Sequence, residues 1–137
     1  MIRKGTYVLF LRFLEDRETE VGSLGKLHLS KGDYCYVGSA MGGLDQRIGR
    51  HLSKDKKIRW HIDRLTMICD DIFAYEIEDD RDLECSVADL MYTVGNGPAV
   101  KGFGCSDCDC VTHLFRADFS ATISALIDYG FRKFTPK

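Results

Sequence analysis

One stretch constrains the fold more than any other: Tyr34 to Leu52, YCYVGSAMGGLDQRIGRHL. Tyr34, Tyr36 and Gly38 alternate with Cys35 and Val37, the two-residue period of a strand whose two sets of side chains face opposite ways. Gly42 and Gly43 then permit a sharp turn of the backbone. From Leu44 the period changes. Leu44, Ile48 and Leu52 make an apolar helical stripe, and Arg47, His51 and Lys54, at i, i+4 and i+7, make a cationic stripe beside it. Strand, glycine turn and helix, in that order, bring two tyrosines and an arginine toward one turn.

The rest of the chain fits around this unit. Residues 5–14, GTYVLFLRFL, are almost continuously apolar and rich in aromatic and β-branched residues, as in a central strand covered on both faces. Tyr7, Leu9, Leu11 and Phe13 share one face. A polar hairpin over 15–32, including a short strand at 26–30, completes an expected antiparallel meander with the Tyr34–Gly38 strand. Helical spacing of Ile58, Ile62, Leu65 and Ile68 predicts a helix over 58–69, and IFAYEIE at 72–78 alternates as a strand. Leu83, Val87, Leu90, Met91 and Val94 predict a helix over 82–94, with Asp79, Asp80 and Asp82 at its positive end and a stop at Gly95 to Pro98. A final strand over 111–117 and a final helix to about Tyr129, capped by Asp118 or Ser120, close the chain. The expectation is one α+β domain over residues 1–137: a small mixed or antiparallel sheet flanked by helices.

Composition sets the class. No apolar run approaches the roughly 18 residues of a spanning helix. Arg12 interrupts the short apolar start and no small-residue cleavage site follows, so neither a signal peptide nor a membrane partner is expected and a cytoplasmic location is. In that compartment the six cysteines are thiols or metal ligands rather than disulfides. The overall charge of −2 says little, but its distribution is uneven. Residues 1–64 carry 13 Lys and Arg against 8 Asp and Glu, whereas residues 65–137 carry 6 against 13. The densest basic block, Arg47 to Arg64, holds seven cations and suits a face that meets phosphates, although a solvated helix face would look the same.

Three groups of residues could carry chemistry. Tyr7 and Tyr36 stand on two strands, and their hydroxyls meet at one edge if those strands are neighbours; alone, each is an ordinary packing tyrosine. Arg47 offers the planar, always-charged fork that suits a phosphate, with His51 one turn on. Glu84 borders the buried stripe of its helix, where it either lines a cleft or complements the helix dipole. Trp60 is a core residue or a base-stacking platform, and His61 a structural residue, a phosphate contact or a second acid–base group. Asp63 reads as structural. Cys105, Cys108, Cys110 and His113 have zinc-ligand chemistry, but a strand beginning near Cys110 would point His113 the other way, so a zinc site and a buried thiol cluster both stay open. Cys35, Cys69 and Cys85 read as core thiols.

Taken in order, GTY at 5–7, YVG at 36–38, the Arg and His of LDQRIGRH, WHID at 60–63 and a Glu at a helix start resemble the GIY-YIG nuclease superfamily. The likeness is to its stand-alone branch with WHID and SDC–HLF segments, and it covers Gly5 to about Phe115. Tyr7 and Tyr36 lie 29 positions apart, farther than in compact members, so the 15–32 hairpin is expected as an insertion between the two motif strands. The resemblance implies a GIY-YIG-like core and metal-dependent hydrolysis of phosphodiester bonds in nucleic acid, DNA in preference to RNA. Tyr7 would be the general base or position the attacking water, and Tyr36 would help hold that water and the phosphate. Arg47 would bind the scissile phosphate with His51 supporting it, and Glu84 would ligate a single Mg2+ or Mn2+. Arg50, Lys54, Trp60 and His61 would contact the nucleic acid.

The physics agrees, since this hydrolysis builds negative charge that a metal and an arginine can meet. A phenol with pKa near ~10 needs nearby positive charge to act as a base. A chain this short has little room for a targeting domain, so a protein partner is expected to supply substrate choice. Two rival readings are a non-catalytic nucleic-acid-binding module of the same fold, and a zinc or redox module centred on Cys105 to His113.

Overall fold

In the computed structural model, which describes residues 2–103 and 112–135, the described residues form eight strands and four α-helices. Strand β1 is Gly5–Phe13, buried at every position but Arg12. β2 (Arg17–Glu20) and β3 (Lys26–Leu29) follow, then β4 (Gly32–Ala40) and α1 (Leu44–Leu52). Next come α2 (His61–Ile68), β5 (Asp71–Glu78), α3 (Glu84–Thr93) and β6 (Gly97–Pro98). The chain ends with β7 (Leu114–Arg116), α4 (Phe119–Tyr129) and β8 (Arg132–Lys133). The architecture is α+β, with a six-stranded antiparallel sheet in the order β6-β7-β4-β1-β5-β8. Among the described residues no helix is long and apolar enough to cross a membrane.

The alternation read in the sequence becomes a three-layer packing. Tyr7, Leu9, Leu11, Phe13 and Tyr34 face Leu44 and Ile48 of α1 and Ile62 and Leu65 of α2. Val8, Phe10, Cys35 and Val37 face Val87, Ala88 and Met91 of α3 and Leu126 of α4. β1 is central, as its apolarity requires. Glycine at 43 carries φ +141° at the entry to α1, a value L side chains rarely adopt.

Several elements differ from expectation. The 15–32 segment is not part of a meander: β2 and β3 pair only with each other as a separate two-stranded sheet, and β1 pairs directly with β4. The segment is thus an excursion that leaves its two flanking strands side by side. The second helix starts at His61 rather than 58, because the Asp63 carboxylate accepts the amides of Arg59 and Trp60 and holds the chain extended before it. Ile58 and Trp60 therefore stand outside the helix. The strand expected at 111–117 is Leu114–Arg116, and it is not the last: the two-residue strands β6 and β8, too short to show a period, were not foreseen. Asp118 caps α4 by accepting from the Ala121 amide, and Gly130 ends it. Cys35 and Cys69 are buried free thiols, but Cys85 is exposed and is not a core residue.

Candidate active site

The register of β1 and β4 sets the site. Tyr7 lies opposite Gly38, and Leu9 opposite Tyr36, so the two tyrosines are diagonal neighbours on one face. The Tyr7 ring passes over residue 38: a Cβ built there would lie 2.5 Å from its hydroxyl oxygen and 2.6 Å from Cζ. Glycine in YVG is the space through which the phenol reaches His51. Tyr7 Oη is 2.8 Å from His51 Nε2, and both side chains are buried.

Burial controls both groups. It pushes the Tyr7 phenol above its ordinary pKa, against the opposing pull of the Arg47 guanidinium. It pulls His51 down to about 3, with Lys56 adding to the effect and Asp63 opposing it. The imidazole is therefore neutral and the phenol protonated, and the two share one hydrogen bond between Tyr7 Oη and Nε2. Nδ1 lies 3.9 Å from Asp63 Oδ1, beyond hydrogen-bonding range.

A hollow of about 230 Å3 opens beside this pair. Tyr7, Tyr36, Arg47, His51 and Glu84 all line it, with Gly38, Ser39, Trp60 and Ile62. Helix α3 packs on the opposite face of the sheet from α1, yet its first residue reaches the hollow around the end of β4. Ser39 joins the two sides: its carbonyl accepts from Arg47 at 3.1 Å, and its hydroxyl donates to Glu84 Oε2 at 3.0 Å. The second Glu84 oxygen lies 2.6 Å from Nδ1 of buried His113. Asp82 Oδ2 comes within 3.4 Å of the Ser39 hydroxyl. Ser39 and His113 are the site residues that sequence reasoning missed in this role. Ser39 directly follows the YVG motif, whereas nothing in the sequence ties His113 to Glu84.

Other expected contacts fall elsewhere. His51 pairs with Tyr7 rather than supporting Arg47. The Trp60 ring lies within 4.6 Å of the Arg47 guanidinium and 4.5 Å of the Arg50 guanidinium, so two cations already stack on it. Arg50 forms a bidentate pair with buried Asp63, at 2.9 Å for both bonds, which agrees with a structural Asp63. Lys54 does not reach the hollow, because its ammonium binds the carbonyls of Thr66 and Cys69. His61 packs edge-on against Phe103 and does not line the hollow. Cys105, Cys108 and Cys110 lie outside the described residues, and His113, their expected fellow ligand, is turned to Glu84. Glu76, buried beside Tyr7 on β5, is held by Arg3 at 2.7 Å as part of a separate ion cluster.

A family model described as Domain of unknown function DUF123 matches residues 6–135. The chain belongs to this family. The match spans β1 to the end of the described fold, so every residue around the hollow lies within the family's domain. No curated protein and no solved structure matches the chain.

Among the described residues no three His, Cys, Asp or Glu side chains gather as a metal cage. The donors at Glu84 are nonetheless the right kind for a hard cation. Its carboxylate lines the hollow beside the Ser39 hydroxyl and the Asp82 carboxylate, with its other oxygen turned to Nδ1 of His113. Mg2+ is commonly held by one or two carboxylates, with waters and substrate phosphates completing its shell.

Proposed function

We propose that this protein is a divalent-metal-dependent phosphodiesterase that cuts nucleic acid, DNA in preference to RNA, in the manner of the GIY-YIG nucleases that its motifs resemble. The observation that carries the reading is convergence. Residues from β1, β4, α1 and α3 that are far apart in sequence line one hollow, and they are a phenol pair, a guanidinium, an imidazole and a carboxylate.

In this reading Arg47 binds the scissile phosphate, its guanidinium aimed by the Ser39 carbonyl and the Trp60 ring. Glu84 holds the cation, with Ser39 and His113 fixing the carboxylate. The cation, when bound, supplies charge for the developing phosphoryl and leaving oxygens. Tyr36 lines the wall beside the phosphate. Tyr7 is not a preformed phenolate, since burial keeps it protonated. Its oxygen instead accepts the proton of the attacking water as its own proton passes to His51 Nε2, 2.8 Å away. The imidazolium so formed lies near the Asp63 carboxylate.

The test is cleavage of branched, mismatched and fully paired DNA, and of RNA, with Mg2+ or Mn2+. Wild type should give products, and Arg47→Ala and Glu84→Ala should lower the rate by about 10²-fold or more, the scale seen when a charge-stabilising group is removed. Wild type and both variants behaving alike on every substrate would overturn the reading. Salt-sensitive binding of wild type without any metal-dependent product would favour the non-catalytic module.

A further inference from the structure

Seven lysines and arginines lie between Arg47 and Arg64, and the structure divides them. Arg47 lines the hollow. Arg50 is taken by Asp63 and the Lys57 carbonyl, Lys54 by the carbonyls of Thr66 and Cys69, and Lys56 by the carbonyls of Arg50 and His51 and the Thr66 hydroxyl. Lys57, Arg59 and Arg64 are exposed, and none of their charged groups has a partner among the described residues. Between Lys57 and Arg59 stands Ile58, 41% exposed.

A lone exposed isoleucine means little. This one sits on a braced tip. The Lys57 carbonyl accepts from Arg50, the amides of Arg59 and Trp60 donate to Asp63 at 2.8 and 3.0 Å, and Arg50 and Asp63 grip each other. The backbone is thus fixed on both sides of a partly exposed apolar residue that stands in sequence between two unpaired cations. Trp60, two residues after Ile58, lines the hollow.

We infer that Lys57 to Trp60 is a wedge that engages nucleic acid at an unstacked or unpaired step next to the phosphate to be cut. The choice of occupant rests on the phosphodiesterase reading above. Three arguments carry the rest. Apolar side chains flanked by cations are the device by which proteins enter and open a base step. The free charges of Lys57 and Arg59 complement the phosphates on either side of such a step. A braced tip loses little conformational freedom on binding. Trp60 cannot be the intercalating group while two guanidiniums stack on its ring, which leaves Ile58. The substrate class is therefore forked, flapped or mismatched duplex rather than continuous paired duplex.

The experiment uses the full chain in EDTA, so that cleavage plays no part. Fluorescence anisotropy compares a labelled fork with a fully paired duplex of the same sequence, and 2-aminopurine at the fork reports unstacking. Wild type should bind the fork about tenfold more tightly and raise the 2-aminopurine signal, because an already unpaired base spares part of the opening cost. Ile58→Ser should lose that preference and that signal with its melting temperature unchanged, since the side chain is exposed; Ile58→Met should keep both. Lys57→Ala with Arg59→Ala should weaken both ligands and reduce the salt slope by roughly 1.4–1.8. Equal affinity for fork and duplex in wild type, or an unchanged preference in Ile58→Ser, would overturn the inference. Fork preference without cleavage under any metal would sink the catalytic reading and leave the wedge standing. Cleavage of paired duplex unaffected by Ile58→Ser would do the reverse.

Discussion

Replacing Gly38 with alanine tests whether the site is built as described, because one methyl group would occupy the path of the Tyr7 ring. The added Cβ would lie 2.5 Å from the phenol oxygen, 2.6 Å from Cζ and 2.9 Å from Cε2. Carbon atoms in contact sit at roughly 3.5–4.0 Å, so the ring must retreat by about 1 Å. It is 2% exposed and hydrogen-bonded to His51, so a retreat of that size breaks the bond even where the ring yields toward the hollow. Overpacking of a filled core costs about 1–3 kcal/mol. Breaking the buried Tyr7–His51 bond adds about 1 kcal/mol. The expected loss of stability is thus about 2–4 kcal/mol. At about 4 °C per kcal/mol for a chain of this length, the melting temperature falls by roughly 8–16 °C.

A double-mutant cycle separates this cause from any general intolerance of alanine in β4. Tyr7→Val keeps a strand-forming residue but leaves nothing over position 38, so in that background Gly38→Ala should cost under about 0.5 kcal/mol. Tyr7→Phe removes only the hydroxyl. Cζ remains at 2.6 Å, so the clash and most of its cost should persist. Urea denaturation of the single and double variants reads all of these values. The same penalty for Gly38→Ala with Val at position 7 as with Tyr would refute the reasoning, as would a single variant melting within about 2 °C of wild type.

Two further predictions follow from the same geometry. His51, pulled down to about 3 in the folded protein, has its ordinary value near 6.5 when unfolded, so the unfolded chain binds the extra proton between those values. Stability should therefore be full above pH 6.5 and fall toward pH 3, by up to about 1.4 kcal/mol per pH unit. Denaturation midpoints across that range should show a slope that His51→Asn lacks. Lys54→Met should cost about 1–2 kcal/mol, because the carbonyls of Thr66 and Cys69 lose a charged donor. It should leave the salt dependence of nucleic-acid binding unchanged, and a lowered salt slope would show the ammonium to be a phosphate contact after all.

Much of this arrangement was legible because it rests on period and order. The two-residue alternation in β1 and β4 and the four-residue spacing in α1 each dictate a buried face, and those faces place Tyr7, Tyr36, Arg47 and His51 on one side of the sheet. Pairing was harder to read. Nothing in RETEVGSLGKLHLS says that its strands pair only with each other, because an inserted hairpin and a meander share the same local pattern. The helix start was misplaced for a related reason. Ile58 continues the apolar spacing of Ile62 and Leu65, but the Asp63 carboxylate captures two backbone amides just ahead of the helix, and that bond outweighs one exposed isoleucine. Charge was the least legible feature. Seven cations in eighteen residues look like one phosphate-binding face, yet three of them are anchors inside the fold.

That division explains how a short basic segment can be both rigid and adhesive. Arg50, Lys54 and Lys56 cap carbonyls and neutralise Asp63, all in the layer between α1 and α2. The loop joining those helices has few apolar residues to bury, so charged hydrogen bonds hold it in place of a core. Asp63 is the centre of this arrangement. It stands close to His51, carries Arg50, and fixes the amides that set the pose of Trp60. A substitution there would disturb the imidazole behind Tyr7, the ring against Arg47 and the braced tip at Ile58 together. A buried carboxylate that does not itself line the hollow thus holds three parts of its geometry at once.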